Sequence, residues 1–122
     1  MTPTPEGRRI LVVEDEMLVA MLIQDMLVAI GHTTVGPIAR REAALKAAAS
    51  EPLDAALLDV NLDGQEVFPV AEALSARGIP LAFVTGYGGR GLLAPWRGRP
   101  ILEKPFRQAD LGRILDQLLG AA

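Results

Sequence analysis

The stretch DAALLDVNLDG, residues 54–64, decides how the chain folds. Its first part, Ala55–Leu58, is apolar at every position. Strict alternation would mark a strand with one wet face. An unbroken apolar run of this length marks a strand covered on both faces, as in a parallel sheet. The run ends abruptly in a carboxylate, Asp59, followed by Asn61, Asp63 and Gly64, which favour turns. The sequence therefore aims a charge off the end of its most hydrophobic strand.

Working outward, the same pattern recurs. RILVVEDE gives the run Ile10–Val13, again ending in acids, Glu14 and Asp15. LAFVT (81–85) and PILEK (100–104) read as further strands. TTVGPIA (33–39) is a weaker one, and its Gly36 and Pro37 place it at a sheet edge. Between these runs the periodicity becomes helical. Met17–Ile30 closes at Gly31, RREAALKAAAS (40–50) closes before Pro52, and Val67–Arg77 closes at Gly78. The last helix, Leu111–Leu119, turns Leu111, Ile114, Leu115 and Leu118 inward and stops at Gly120. The third presents Val67, Val70, Ala71 and Leu74 on one side. Strand and helix thus alternate along the chain, which predicts an α/β fold: a parallel sheet with helices on both faces. One segment breaks the rhythm. GYGGRGLLAPWRGR (86–99) holds five glycines and a proline where a fourth helix should lie, so a short, distorted helix or a mobile loop is expected there. Residues 1–8 read as a disordered tail and 9–122 as one domain.

Composition narrows the function. Of 122 residues, 50% are hydrophobic and 22% charged, a globular balance with enough chain to bury a core. There are no cysteines, hence neither disulfides nor thiolate metal sites. The net charge of −3 speaks against a dedicated nucleic-acid binder. No apolar stretch approaches the roughly 20 residues of a membrane span, and no signal peptide is visible. The expectation is a cytoplasmic protein with neither nucleic-acid nor membrane partners.

In an open α/β sheet, ligands bind beyond the carboxyl ends of the strands. At those ends stand Glu14 and Asp15, then Asp59, then Thr85, then Lys104 followed by Pro105. Three carboxylates crowded together repel strongly, about 4 kcal/mol per pair at ~4 Å and an effective dielectric near 20. Lys104 offsets one charge. Either a carboxyl is protonated or a divalent cation sits among them, and few hard oxygen ligands suit Mg²⁺. A carboxylate so placed can attack a phosphoryl group and form an acyl phosphate. Lys104 and the metal would neutralise its oxygens, and the Thr85 hydroxyl could hydrogen-bond one of them.

VVEDE, LLDVNLDG, FVTGY and EKPF, in this order and spacing, resemble the receiver domain of bacterial two-component response regulators, across essentially the whole chain. The resemblance implies the flavodoxin-like (CheY-like) fold with strand order 2-1-3-4-5. It implies that Asp59 is the phosphoacceptor and that Asp15, Asp59 and the backbone carbonyl of Asn61 bind Mg²⁺, with Glu14 acting through a coordinated water. Thr85 would be the switch hydroxyl and Lys104 the family's lysine. Many receivers carry Tyr or Phe three residues before that lysine, where this chain has Ile101. Together with FVTGY, this resembles a subgroup of stand-alone alphaproteobacterial receivers whose fourth strand reads FATG. Tyr87, two residues past Thr85, is the one tyrosine and is assigned part of the missing aromatic's role.

The implied function is a single-domain response regulator. It takes a phosphoryl group from a sensor histidine kinase or histidine phosphotransfer protein and signals to a downstream protein by contact, with a homodimer left open. It is not an enzyme beyond promoting its own phosphorylation and dephosphorylation. Two rivals are a Mg²⁺-dependent phosphohydrolase and a pseudo-receiver that binds without phosphorylation. The first wants a second acid two residues after its nucleophile, where Asn61 stands. The second has no need of Asp15, Asp59, Thr85 and Lys104 together.

The first helix carries a further signal. Val19, Leu22, Ile23, Met26, Leu27 and Ile30 fit the inward face. Met17, Leu18, Met21 and Val28 are left over and should point outward, either as a contact for the phosphodonor's helices or as packing against the last helix. Asp63 and Glu66 read as loop and helix-start residues, His32 as a structural loop histidine, and Trp96 as packing over the sheet edge or anchoring the 86–99 segment.

Overall fold

A computed structural model describes residues 8–62, 64–86, 92 and 94–120. Strand β3 (Ala55–Asp59), buried at all five positions, is the sheet's central strand. On one side it pairs in parallel with β1 (Arg9–Val13), Ile10 opposite Ala55 through Val13 opposite Leu58. On the other it pairs with β6 (Leu81–Thr85), Ala56 opposite Leu81 through Asp59 opposite Val84. Strand β2 (Thr33–Ile38) adds to β1 and β7 (Ile101–Glu103) to β6, so the order is β2-β1-β3-β6-β7. Counting only these five strands, this is the expected 2-1-3-4-5.

The two extra strands were not foreseen. β4 (Asn61–Leu62) and β5 (Gln65–Glu66) form a small antiparallel hairpin directly after β3. Asn61 Oδ1 accepts a hydrogen bond from the Gly64 N–H at 2.8 Å, and Gly64 has φ +86°, a conformation that glycine adopts without penalty. Leu62 is buried and pins the hairpin to the core. Glu66, expected at a helix start, lies in β5 instead, and Asp63 falls outside the described residues.

The unbroken apolar runs have their explanation in two cores, one per sheet face. Leu11, Val13, Ala56, Leu58, Leu81 and Phe83 face helices α2 (Arg41–Ser50) and α3 (Phe68–Ala76). Ile10, Val12, Ala55, Leu57, Ala82 and Val84 face α1 (Met17–Ile30) and α4 (Gln108–Leu119). α4 begins three residues before the expected Leu111, because the Arg107 N–H donates to Asp110 Oδ2 at 2.9 Å and fixes the first turn. On α1 the buried stripe is Ala20, Ile23 and Leu27, with Val19, Met26 and Ile30 flanking it. Leu22, assigned inward from its spacing, is 44% exposed. The sheet and α4 cover a narrower arc of this helix than its apolar residues span.

At the β2 edge, the β1–β2 register shifts between Leu11 and Val13. Gly36 sits there at φ +103°, and a Cβ on it would lie 2.9 Å from the Val12 carbonyl oxygen. Between β6 and β7 the helical element among the described residues is a 3₁₀ turn, Ala94–Trp96, in keeping with a short or distorted fourth helix. Residues 87–91 and 93 lie outside the described residues. Trp96 is buried in the core on the α2–α3 face and ties the 94–96 turn to it. It stacks on Phe68 (6.4 Å, 7° between planes), meets Phe83 edge-on at 6.0 Å, and carries the Arg99 guanidinium 5.2 Å from its centroid. No described helix is long and apolar enough to cross a membrane.

Candidate functional site

The carboxyl ends of β1, β3, β6 and β7 open into one cleft of about 370 Å³, lined by Asp15, Glu16, Asp59, Val60, Asn61, Gly64, Thr85, Gly86 and Lys104. Parallel pairing explains the convergence. Strands of like direction in register finish at one edge, so whatever residue follows each apolar run is delivered there. Asp59 closes β3 and Thr85 closes β6. Lys104 follows β7, its backbone N–H donating to the Thr85 carbonyl at 2.9 Å. Glu14 follows β1, and its N–H donates to the Ile38 carbonyl at 2.9 Å.

The carboxylates meet as their positions predict. Glu14, Asp15 and Asp59 each offer an oxygen within 4.8 Å of the others. Glu14 and Asp59 are buried, and so is Thr85. The Asp59 carboxyl is pushed up to about 8, first by burial, then by the charge of Glu14, with Lys104 acting in the opposite direction. The Lys104 ammonium lies 3.4 Å from Glu14 Oε1 and 3.9 Å from Asp59 Oδ2. Its nearest partner is Glu16 Oε1, at 2.6 Å. Burial by itself would lower the Lys104 pKa. The hydrogen bond to Glu16 and the charges of Asp59, Glu14 and Glu16 outweigh burial and hold it above the usual lysine value.

A divalent cation fits these residues. One ammonium is divided among three carboxylates, and the buried Glu14 Oε1 has no hydrogen-bond partner among the described residues. Oxygen donors in excess of local positive charge suit a hard cation. The neighbouring β4–β5 hairpin holds Asn61, the first residue of β4, beside Asp59, the Asn61 N–H reaching Asp59 Oδ1 at 3.4 Å.

Other anticipated residues are placed differently. Ile101 is part-buried against the α2–α3 core, opposite Phe83 in the β6–β7 ladder, and does not line the cleft. Tyr87 lies outside the described residues. Met17, Leu18, Met21 and Val28 are all exposed, between 52% and 82%, and Leu22 joins them. The patch begins immediately after Glu16, at the cleft's rim. His32 stands apart, on the connection between α1 and β2. Its pKa is lowered first by burial and then by Arg8. Sequence reading missed Glu16. Its signal was the third acid of Glu14-Asp15-Glu16, but only the geometry shows that it, rather than Asp59, is the lysine's closest partner.

No protein-family model matches the sequence. Known proteins do. The chain is 31% identical over 115 residues to the phyllosphere-induced regulator PhyR of Methylorubrum extorquens, covering 90% of this chain and 43% of that protein. It thus spans about half the length of the curated relatives it matches. Among solved structures, SdrG from Sphingomonas melonis Fr1 superposes with a TM-score of 0.85 at 41% identity, covering 95% of this chain and 99% of that one. The receiver domain of a sensor histidine kinase from Pseudomonas aeruginosa PAO1, whose active-site cleft coordinates a magnesium ion, superposes with a TM-score of 0.81 at 28% identity, covering 94% and 99%. The sheet order, the acidic cluster at its carboxyl edge and these likenesses agree, and the chain belongs to the response regulator receiver domains of two-component systems.

Proposed function

We propose that the chain receives a phosphoryl group on Asp59 and passes the signal on through protein contacts. The observation that carries this reading is the convergence of Glu14, Asp15, Asp59, Thr85 and Lys104 on one cleft. An Asp59 carboxylate oxygen attacks the phosphorus of a phosphohistidine. A new O–P bond forms, the P–N bond breaks, and the imidazole leaves with its electron pair and takes up a proton from water. The product is an acyl phosphate. Asp15, Asp59 and the Asn61 carbonyl would hold Mg²⁺, with Glu14 reaching it through water. When bound there, the ion would supply positive charge that favours the ionised Asp59 carboxylate and offsets charge on the phosphoryl oxygens. Lys104 neutralises one phosphoryl oxygen, and the Thr85 hydroxyl donates to another.

The added charge, about −2 at neutral pH, draws Lys104 and Thr85 toward Asp59. Thr85 continues the strand that carries Phe83, whose ring meets Trp96 and whose ladder partner is Ile101. A shift of Thr85 is therefore felt in the aromatic packing, and Tyr87 shares the switch role that Ile101, lacking a ring, does not fill. The donor is a histidine kinase or phosphotransfer protein in the cytoplasm. Its helices would dock on Met17, Leu18, Met21 and Val28, an apolar patch adjoining the cleft. The signal leaves through a downstream protein partner.

Intact mass recorded after incubation with acetyl phosphate and Mg²⁺ tests the assignment. A labile adduct of one phosphoryl group is expected, absent in Asp59→Ala. Phosphoester turnover without an adduct, or an adduct that survives Asp59→Ala, contradicts it.

A further inference from the structure

The Lys104 ammonium is not centred on Asp59. Its 2.6 Å hydrogen bond goes to Glu16, while Asp59 Oδ2 is 3.9 Å away, beyond hydrogen-bond reach. Glu16 lies outside the Glu14–Asp15–Asp59 cluster, and its side chain is 60% exposed. Its backbone is fixed. It is the N-cap residue of α1, its N–H donates to Glu14 Oε2 at 3.1 Å, and its carbonyl accepts the Ala20 N–H at 2.9 Å. The Lys104 backbone is fixed as well, through its bond to the Thr85 carbonyl. Between two fixed backbones, the Glu16–Lys104 pair joins the start of α1 to the end of β7, and both residues line the cleft that holds Asp59. Glu16 also adds a negative charge to the cleft lining, unfavourable to an arriving anion.

We infer that Glu16 is a positioning residue that holds Lys104 on the α1 side of the cleft and competes with the phosphoryl group for its ammonium. This rests on the reading of Asp59 as the phosphoacceptor and adds a brake to it. Phosphoryl binding must draw on an ammonium already engaged, so the unmodified form is favoured. Releasing the lysine should ease the way to the phosphorylated form. Asp59, Asp15 and Thr85 keep the roles proposed above.

The test measures beryllofluoride, a phosphoryl mimic, titrated at saturating Mg²⁺ and followed by backbone amide NMR. Glu16→Gln is expected to bind it about 3- to 5-fold more tightly, the scale of a part-exposed ion pair. Asp25→Asn removes the same charge from an exposed site on α1 that has no contact with Lys104, and its affinity is expected to match wild type. In a Lys104→Met background the gain from Glu16→Gln should vanish, because the two residues act as a pair. Unchanged or weaker binding by Glu16→Gln overturns the inference. So does an equal gain in Asp25→Asn, which would trace the effect to overall charge, or a gain that persists without Lys104. If wild type takes up no beryllofluoride, the phosphoacceptor reading fails and the inference falls with it. Uptake by wild type without improvement in Glu16→Gln removes the inference alone.

Discussion

Without a divalent cation, Asp59 should destabilise the fold it serves, and Asp59→Asn should relieve that cost. The sign follows from proton binding. The Asp59 pKa is near 3.8 in the unfolded chain and about 8 in the folded one. Between those values the folded state holds more protons than the unfolded state, so stability falls as pH rises from about 4 to about 8. At ~1.4 kcal/mol per pH unit, the ceiling is about 6 kcal/mol. Asp59 opens onto a cleft that water can enter, and screening reduces this to about 2–3 kcal/mol. An amide at this position has the same shape, carries no charge and can donate to Glu14. In a domain of this size the difference amounts to roughly 6–15 °C in melting temperature.

The assay is thermal unfolding of wild type and Asp59→Asn in EDTA, from pH 5 to pH 8.5. The two should lie close together at pH 5 and separate steadily, with the variant the more stable at pH 8. Mg²⁺ added at pH 8 should raise the wild-type melting temperature more than the variant's, because ligand binding stabilises only the species that holds it. Parallel pH profiles would refute the electrostatic reasoning, as would a variant less stable than wild type at pH 8. Either result would mean that the cluster is neutralised by something other than an added cation.

Asp15→Ala should bind Mg²⁺ at least tenfold more weakly by calorimetry while keeping its far-UV circular dichroism. Trp96→Ala should lose about 3–5 kcal/mol in urea unfolding, since it removes a ring packed against both Phe68 and Phe83. Trp96 is the one tryptophan, so its fluorescence in wild type should respond to beryllofluoride and stay constant in Asp59→Ala. Gly36→Ala should cost more than 1 kcal/mol in the same unfolding assay, because the Cβ meets the Val12 carbonyl oxygen at 2.9 Å in a left-handed backbone.

Legibility followed the physics of each feature. β1, β3 and β6 were readable because burial on both faces leaves a continuous apolar string, and parallel pairing then places the polar residues at their C-terminal ends together without further information. Asp15, Asp59 and Thr85 could be grouped on that basis alone, and Lys104 joins them through the shorter, part-buried strand β7. The β4–β5 hairpin was not readable, since it depends on one Asn side chain bonding one backbone N–H, and two-residue strands leave no periodicity. Leu22 was misplaced because spacing reports which residues share a helix face, not how much of that face the neighbours cover. Gln108 was missed as a helix start because Arg107 is not a residue type that announces an N-cap.

Glu16 shows a different limit. Its charge was visible, yet a sequence lists four acids and one lysine near the strand ends without ranking their distances. The ranking carries the chemistry here. A lysine closest to Asp59 would stand ready for the phosphoryl group, whereas one held by Glu16 at 2.6 Å must first be shared or released. The same residues in the same cleft therefore describe either a receptive site or a restrained one, and the choice turns on about 1.3 Å of difference between two ion pairs. Because Glu16 is also the N-cap residue of α1, a partner that docks on Met17, Leu18 and Met21 touches the helix whose first turn holds the restraint. On the proposed reading, donor docking and lysine release would be mechanically adjacent, and a phosphodonor protein would have a route to speed its own reaction that a small molecule such as acetyl phosphate lacks.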